Sequence, residues 1–160
     1  MTTKAIHAGT FDPITLGHVD IVARAAGLFD EVIVAVAESE RKTPYYPIEK
    51  RLQFAKQALS HLKNVSVEAL TGLTVDFVTQ HKAHYLVRGV RSAIDFDYEA
   101  ELAEMNRDML DGNVDTIFLP TRPQFAYISS TMVRELILIK AFDQLKRFVP
   151  ETILNLLQSD

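Results

Sequence analysis

The chain has 160 residues, a formal net charge of −4 and no cysteine. The length is that of one ordinary domain, and 48% hydrophobic against 24% charged residues is a globular balance. Disulfide staples, thiolate metal sites and a cysteine nucleophile are excluded, no apolar run reaches the ~18 residues of a membrane span, and the acidic balance speaks against a nucleic-acid binder that works by bulk charge. The first residues, Met1-Thr2-Thr3-Lys4, lead straight into an apolar strand candidate without the n- and h-regions of a secretory leader. With the absence of cysteine, that makes the cytoplasm the expected location.

Short apolar runs alternate with segments of helical period. Lys4 to Ala8 reads as a strand. Gly17 to Phe29 follows as a helix, with Val19, Val22, Ala23 and Ala26 at helical spacing. Glu31 to Ala37 is almost continuously apolar, as a strand buried on both faces should be. Ile48 to Leu59 is helical, Asn64 to Leu70 alternates like a strand, Leu73 to Gln80 is a short helix and Tyr85 to Val87 a strand. Asp95 to Leu110 is a long helix whose inner face is expected to carry Tyr98, Leu102, Met105 and Met109. Thr116 to Leu119 is a fifth strand stopped by Pro120. Ser129 or Ser130 caps a helix reaching about Lys140, and an amphipathic helix spans Pro150 to Leu157. The pattern predicts a single α/β domain over 1–160. Its core is a doubly wound, Rossmann-like, five-stranded parallel sheet with helices on both faces. Ligands of such sheets sit beyond the carboxyl ends of the strands.

The residues after the strands are therefore the candidates. Gly9-Thr10-Phe11-Asp12-Pro13-Ile14-Thr15-Leu16-Gly17-His18 follows the first strand and opens a helix, whose free N–H groups suit an anion. It is neither a Walker loop nor a G-x-G-x-x-G turn. Thr-x-Gly-His at the first turn admits two readings, a helix cap with an exposed imidazole or a phosphate contact. Lys42 lies on the loop after the second strand. Arg88-Gly89-Val90-Arg91 follows the fourth, and guanidinium forks match phosphate oxygens. Ser129-Ser130-Thr131 after the fifth offers more hydroxyls than one cap needs, with Arg134 a turn further on. Asp95, Asp97, Glu99 and Glu101 read mainly as a solvated helix face. His61, His81 and His84 have no metal-ligand spacing, and no nucleophile or carboxylate dyad declares itself.

Taken together, Gly9-Thr10-Phe11-Asp12-Pro13-Ile14-Thr15-x-Gly17-His18, Arg88-Gly89-x-Arg91, Asp95-Phe96-Asp97-Tyr98-Glu99 with Met105-Asn106-Arg107, and Ile128-Ser129-Ser130-Thr131-x-Val133-Arg134 resemble the bacterial phosphopantetheine adenylyltransferases. These belong to the nucleotidyltransferase superfamily marked by T/H-x-G-H. The resemblance covers essentially the whole chain and implies the transfer of the adenylyl group of ATP to 4′-phosphopantetheine, with Mg²⁺, giving dephospho-coenzyme A and pyrophosphate. The attack on the α-phosphorus is in line and needs no protein nucleophile. By the same resemblance, Thr10, Phe11, His18, Gly89, Val90, Arg91, Glu99 and the stretch Phe125, Ala126, Tyr127, Ile128, Ser129, Ser130 and Thr131 line the ATP site. His18, Lys42 and Arg91 act in catalysis, His18 as the transition-state stabiliser. Thr10, Lys42, Arg88 and Thr74 meet phosphopantetheine, with Leu73 beside Thr74 along its arm. A homohexamer and feedback inhibition by coenzyme A are further expectations, with neither nucleic acid nor membrane as partner.

Three departures from the family pattern stand out: His7-Ala8 where Tyr-Pro is usual, Thr74 in place of an apolar residue, and no Gly-Asp break in 137–147, so that the helix after Ser129 is expected to run on. A sister nucleotidyltransferase with other substrates, such as nicotinamide mononucleotide as acceptor or a cytidylyl donor, and a nucleotide sensor without turnover are the rival readings.

Overall fold

The computed structural model describes residues 1–39 and 43–159. Its centre is a five-stranded parallel sheet in the order β3-β2-β1-β4-β5. The strands are β1 (Lys4–Gly9), β2 (Glu31–Ala37), β3 (Val65–Leu70), β4 (Tyr85–Val90) and β5 (Asp115–Pro120). Four helices connect them in turn: α1 (Leu16–Ala26), α2 (Ile48–Leu59), α3 (Thr74–His81) and α4 (Ala93–Met109). After β5 come α5 (Ser130–Leu138), α6 (Phe142–Leu145) and α7 (Leu154–Gln158).

The continuous apolar run of β2 is placed where such a run must go. Val32 to Val36 are all within 1% of full burial, covered on both faces. One face packs Val34 and Val36 against Phe54, Leu145, Val149, Ile153 and Leu157. The other packs Ile33 and Ala35 against Phe77, Val78 and Leu86. Ala5, Ile21, Ala25 and Val87 join β1 and β4 to α1.

The strand order reverses direction between β1 and β4, and there the sheet splays. β1 follows β2 in register from Lys4↔Glu31 to Gly9↔Val36. With β4 it pairs only at Ala5↔Tyr85 and Ile6↔Leu86. Past that point two side chains bridge the gap in place of the ladder: His7 donates to the Val87 carbonyl (2.8 Å) and Arg88 to the Ala8 carbonyl (2.6 Å). Buried carbonyls thus keep partners while the strands separate. The crevice between them is the topological switch point of a doubly wound sheet.

Four expectations change. β4 continues past Val87 to Val90, because Arg88↔Phe118, Gly89↔Leu119 and Val90↔Pro120 stay in register with β5. The first helix stops at Ala26, not Phe29, and the Gly27 N–H closes onto the Ala23 carbonyl. The inner face expected of α4 is not buried: Tyr98, Met105 and Met109 are 65%, 52% and 46% exposed, and none of the helix's residues reaches full burial. The helix after Ser129 does not run on. It ends at Leu138, and Lys140 at φ 59 takes the left-handed turn that a glycine would otherwise supply.

Candidate active site

A cavity of about 530 Å³ opens where β1 and β4 separate. Three helix N-termini face it: Thr15, Gly17 and His18 of the α1 start, Ile94 and Asp95 of α4, and Ser129, Ser130 and Thr131 at α5. Each brings unsatisfied N–H groups and the positive end of a helix dipole to the same space, which favours anions.

The first turn of α1 explains the Thr-x-Gly-His spacing. Thr15 is the N-cap, and its Oγ1 accepts the His18 N–H (3.4 Å). Reciprocally, His18 Nδ1 accepts the Thr15 N–H (3.0 Å). This is a capping box in which histidine stands where Glu or Gln usually does. Because Nδ1 receives an N–H, the neutral ring carries its proton on Nε2, the nitrogen left for the cavity. Protonation at Nδ1 would set two donors against each other. Burial, reinforced by His7, Arg91 and Arg88, pushes the imidazole down to about 3. The Leu16 N–H is taken by the Phe148 carbonyl (2.9 Å), so the Gly17 N–H remains for a ligand.

Phe11 sets the spacing behind this ring. Its backbone is left-handed (φ 47), a cost of order 1–3 kcal/mol for a bulky residue. Its side chain is 3% exposed and stands edge-on to two imidazoles, with centroids 5.5 Å from His7 and 5.0 Å from His18. His7, on the cavity wall, is 6% exposed. Its Nδ1 donates to Val87, and burial lowers its pKa to about 4.

The cations are held at rest. Arg88 forks onto Glu99 through Nε (2.6 Å) and Nη2 (2.8 Å). Arg91 reaches Asp95 (3.4 Å) and the Ile128 carbonyl (3.4 Å). Among the described residues lining the cavity, two arginines therefore face two carboxylates. Arg134 lies outside the lining, tied to the Asp12 carbonyl (2.7 Å) and to Thr131 Oγ1 (3.1 Å).

Of the residues expected from sequence, Thr10, Phe11, His18, Arg88, Gly89, Arg91, Glu99, Phe125, Ile128, Ser129, Ser130 and Thr131 line the cavity together. Val90, Ala126 and Tyr127 do not line it. Thr74 lines a neighbouring cavity of about 60 Å³ with Arg88, Glu99 and Asn106, so the arginine–glutamate pair stands between the two spaces. Lys42 lies outside the described residues. Glu99, read mainly as solvated from its helix, is the partner of Arg88.

Two residues organise the site without having been given a role from sequence: Arg51, which nothing singled out, and Asp12, quoted only as part of the first motif. Arg51 is 2% exposed and donates to the carbonyls of Thr10 (2.8 Å), Ala37 (2.7 Å) and Tyr46 (3.0 Å). It thereby ties the exits of β1 and β2 to the start of α2. Asp12 accepts the N–H groups of Tyr45 (2.7 Å) and Tyr46 (2.9 Å) and lies 3.7 Å from Arg134.

The chain matches the model of the cytidylyltransferase-like family over residues 6–136. It is 46% identical over 154 residues to the phosphopantetheine adenylyltransferase of Actinobacillus pleuropneumoniae serotype 3, covering 96% of both chains. It is 43% identical over 159 residues to that of Haemophilus ducreyi, covering 99% of this chain and 97% of the other. The enzyme of the same name from Symbiobacterium thermophilum is 49% identical over 133 residues, 83% of this chain and 82% of the other. Among solved structures, a putative nicotinate-nucleotide adenylyltransferase from Vibrio parahaemolyticus superposes with a TM-score of 0.70 at 19% identity, covering 100% and 98% of the two chains. A lipopolysaccharide core biosynthesis protein from Thermoplasma volcanium superposes at 0.59 with 24% identity, covering 76% of this chain and 99% of that one. Both share the fold.

Proposed function

The chain belongs to the phosphopantetheine adenylyltransferase family within the cytidylyltransferase-like nucleotidyltransferases, and from that membership we infer that it transfers the adenylyl group of ATP to 4′-phosphopantetheine. The products are dephospho-coenzyme A and pyrophosphate. A phosphate oxygen of phosphopantetheine attacks the α-phosphorus in line, the α–β bridging bond breaks, and pyrophosphate leaves with its electron pair. The protein supplies position and charge rather than a nucleophile.

The observation that carries the reading is the His18 ring, locked by the Thr15 N–H so that Nε2–H is its free donor, at the meeting of three helix N-termini. In our assignment His18 donates to the α-phosphate oxygens as charge develops there, as a neutral imidazole. Thr10 and the Gly17 N–H meet the phosphates at the head of the crevice. Arg91 and the N-terminus of α5, with Ser129, Ser130 and Thr131, take the β- and γ-phosphates. Gly89, Phe125 and Ile128 border the nucleoside, and Val90, Ala126 and Tyr127 act, if at all, from outside the cavity wall. Arg88 and Lys42 hold the acceptor's phosphate, and Thr74 lies along the pantetheine arm. For Arg88 to do so, one of its Glu99 bonds gives way or its remaining N–H groups suffice. Glu99 is then the group that holds Arg88 between substrates.

Enzymes of this family work with a divalent cation, and Mg²⁺ is the ion proposed here. Among the described residues no three His, Asp or Glu side chains gather into a metal cage. Mg²⁺ keeps its waters and prefers substrate phosphates to an all-protein site, so the ion is proposed to be carried on the triphosphate. When bound it neutralises phosphate charge. The homohexamer is supported by α4, whose Phe96, Met105 and Met109 lie exposed in the isolated chain. No helix of the described residues is long and apolar enough to cross a membrane; a cytoplasmic location is proposed from the family alone. Inhibition by coenzyme A is proposed through the same pair of cavities, since it contains both the nucleotide and the pantetheine arm.

The test is pyrophosphate release from ATP and Mg²⁺ with and without 4′-phosphopantetheine, with the adenylylated product weighed by mass spectrometry. Dephospho-coenzyme A is expected only when both substrates are present. Release with nicotinamide mononucleotide instead would overturn the acceptor. ATP binding without any release would overturn the enzymatic reading.

A further inference from the structure

One polar atom of the site has no partner and no assigned role. His7 Nε2 is buried and without a hydrogen bond. The ring lies on the cavity wall. Its orientation is not adjustable: Nδ1 must carry the hydrogen, because it faces the Val87 carbonyl at 2.8 Å where β1 and β4 splay. Phe11 stands edge-on to the ring at 5.5 Å. Nε2 is therefore a buried bare lone pair on a ring that lines a cavity built for phosphates. An orphaned buried acceptor is unfavourable, and everything a phosphate offers it is another acceptor.

The charges around it show the same mismatch. From α1 His18 faces the ring, from β4 Arg88, from α4 Glu99, and these are the groups whose fields act between the two imidazoles and the arginines. Arg91 and Asp95 line the same cavity farther out. Arg88 pairs with Glu99 and Arg91 with Asp95, so the described walls carry no net charge before a polyanion enters.

We propose that His7 is a binding residue for the nucleotide that takes a proton from solvent onto Nε2 as the triphosphate enters, becoming an imidazolium that donates to a phosphate oxygen. This rests on the proposed function and deepens it by making substrate binding proton-linked. The proton balance is simple: solvent or buffer loses one proton, Nε2 gains it, and the Nδ1–H bond to Val87 is unchanged. His18 cannot serve in this way, because its Nδ1 is occupied by the Thr15 N–H and its Nε2 is already a donor.

The sign follows from linkage. In the free protein burial keeps His7 neutral, with its pKa near 4, and a bound polyanion raises it. Between the free and bound values binding takes up a proton, and affinity strengthens as pH falls, by at most about tenfold per pH unit.

The experiment is calorimetric titration of the protein with α,β-methylene-ATP, which cannot be cleaved at the reacting bond, in the presence of Mg²⁺. It is run in buffers of different ionisation enthalpy for the wild type and for His7→Asn. Asparagine keeps an N–H for Val87 and lacks the distal nitrogen. The ligand's own proton change is common to both proteins and cancels. Expected is a proton uptake in the wild type that exceeds the variant's, growing as pH falls through neutrality. Equal uptake in the two overturns the proposal. Should the variant not fold, histidine-detected ¹⁵N spectra of the wild type decide: Nε2 protonated on analogue binding supports the proposal, and Nε2 still bare overturns it. The proposed function fails separately, by the absence of dephospho-coenzyme A.

Discussion

His18 holds the helix that presents it. The same ring accepts the Thr15 N–H and turns its other nitrogen to the cavity, so replacing it with alanine removes a cap and a donor together. His18→Gln separates the two, because glutamine keeps the cap while its amide N–H is not fixed where the ring holds Nε2–H. We expect the melting temperature of that variant to stay near wild type, while kcat falls ~10²–10³-fold, the usual loss for one oriented donor, and ATP affinity changes little. A kcat left unchanged by His18→Gln would contradict the role. Since the ring stays neutral with its pKa near 3, the wild-type kcat should show no ionisation of His18 across the neutral range. Arg51 makes the opposite case, a residue of structure that looks like surface. It lies beside Lys50 in a helix of ordinary amphipathic pattern, and nothing local marks it. Only the tertiary fold brings the open ends of β1 and β2 over it. Arg51→Met leaves three carbonyls without their donor and should destabilise the protein by about 3–5 kcal/mol. Arg51→Lys should recover little of this, for one ammonium cannot span the fork. Denaturant unfolding of the two variants checks both statements.

At the scale of elements, the alternation of strands and helices was readable because each has its own period, and the sheet followed from it. The ends were less legible. Arg88 and Gly89 look like a strand's exit, yet pairing with Phe118 and Leu119 keeps them within β4. A Cβ at Gly89 would lie 3.1 Å from Ile21 Cγ1, so this glycine sets how closely α1 approaches the crevice. Gly89→Ala should push α1 and its first turn outward, lowering kcat more than stability. An unaltered kcat with a crystal structure showing α1 in place would contradict this. The apolar stripe of α4 was visible but its direction was not, because periodicity is the same whether the stripe meets the helix's own sheet or a second copy of the chain. Its exposure in the isolated chain makes the mass of the assembly the informative measurement. Light scattering should report six chains, and Met105→Glu with Met109→Glu should lower that number.

For the whole molecule, two buried neutral histidines make acid the weak side of the stability profile. The unfolded chain binds protons near the ordinary histidine value of 6.5, whereas folded His7 waits until about 4. Its contribution is complete above 6.5 and is lost as pH falls toward 4, a change on the order of 3 kcal/mol, with His18 acting in the same direction. Unfolding free energies measured stepwise through this window should fall, and His7→Tyr should flatten the slope. The polyanion site itself was legible as separate loops after separate strands. What brings them together, the splaying of β1 from β4 and the side chains that satisfy the freed carbonyls, is written in no single stretch.

The bond from Leu16 N–H to the Phe148 carbonyl joins the first helix to the segment after α6. Leu145 of α6 and Val149, Ile153 and Leu157 after it fill the core on the α1 side of the sheet. During synthesis, the Thr15–His18 turn emerges from the ribosome long before the residues that close it. The start of the first helix is therefore completed only by a late-translated segment, and a chain that ends before Phe148 lacks that bond.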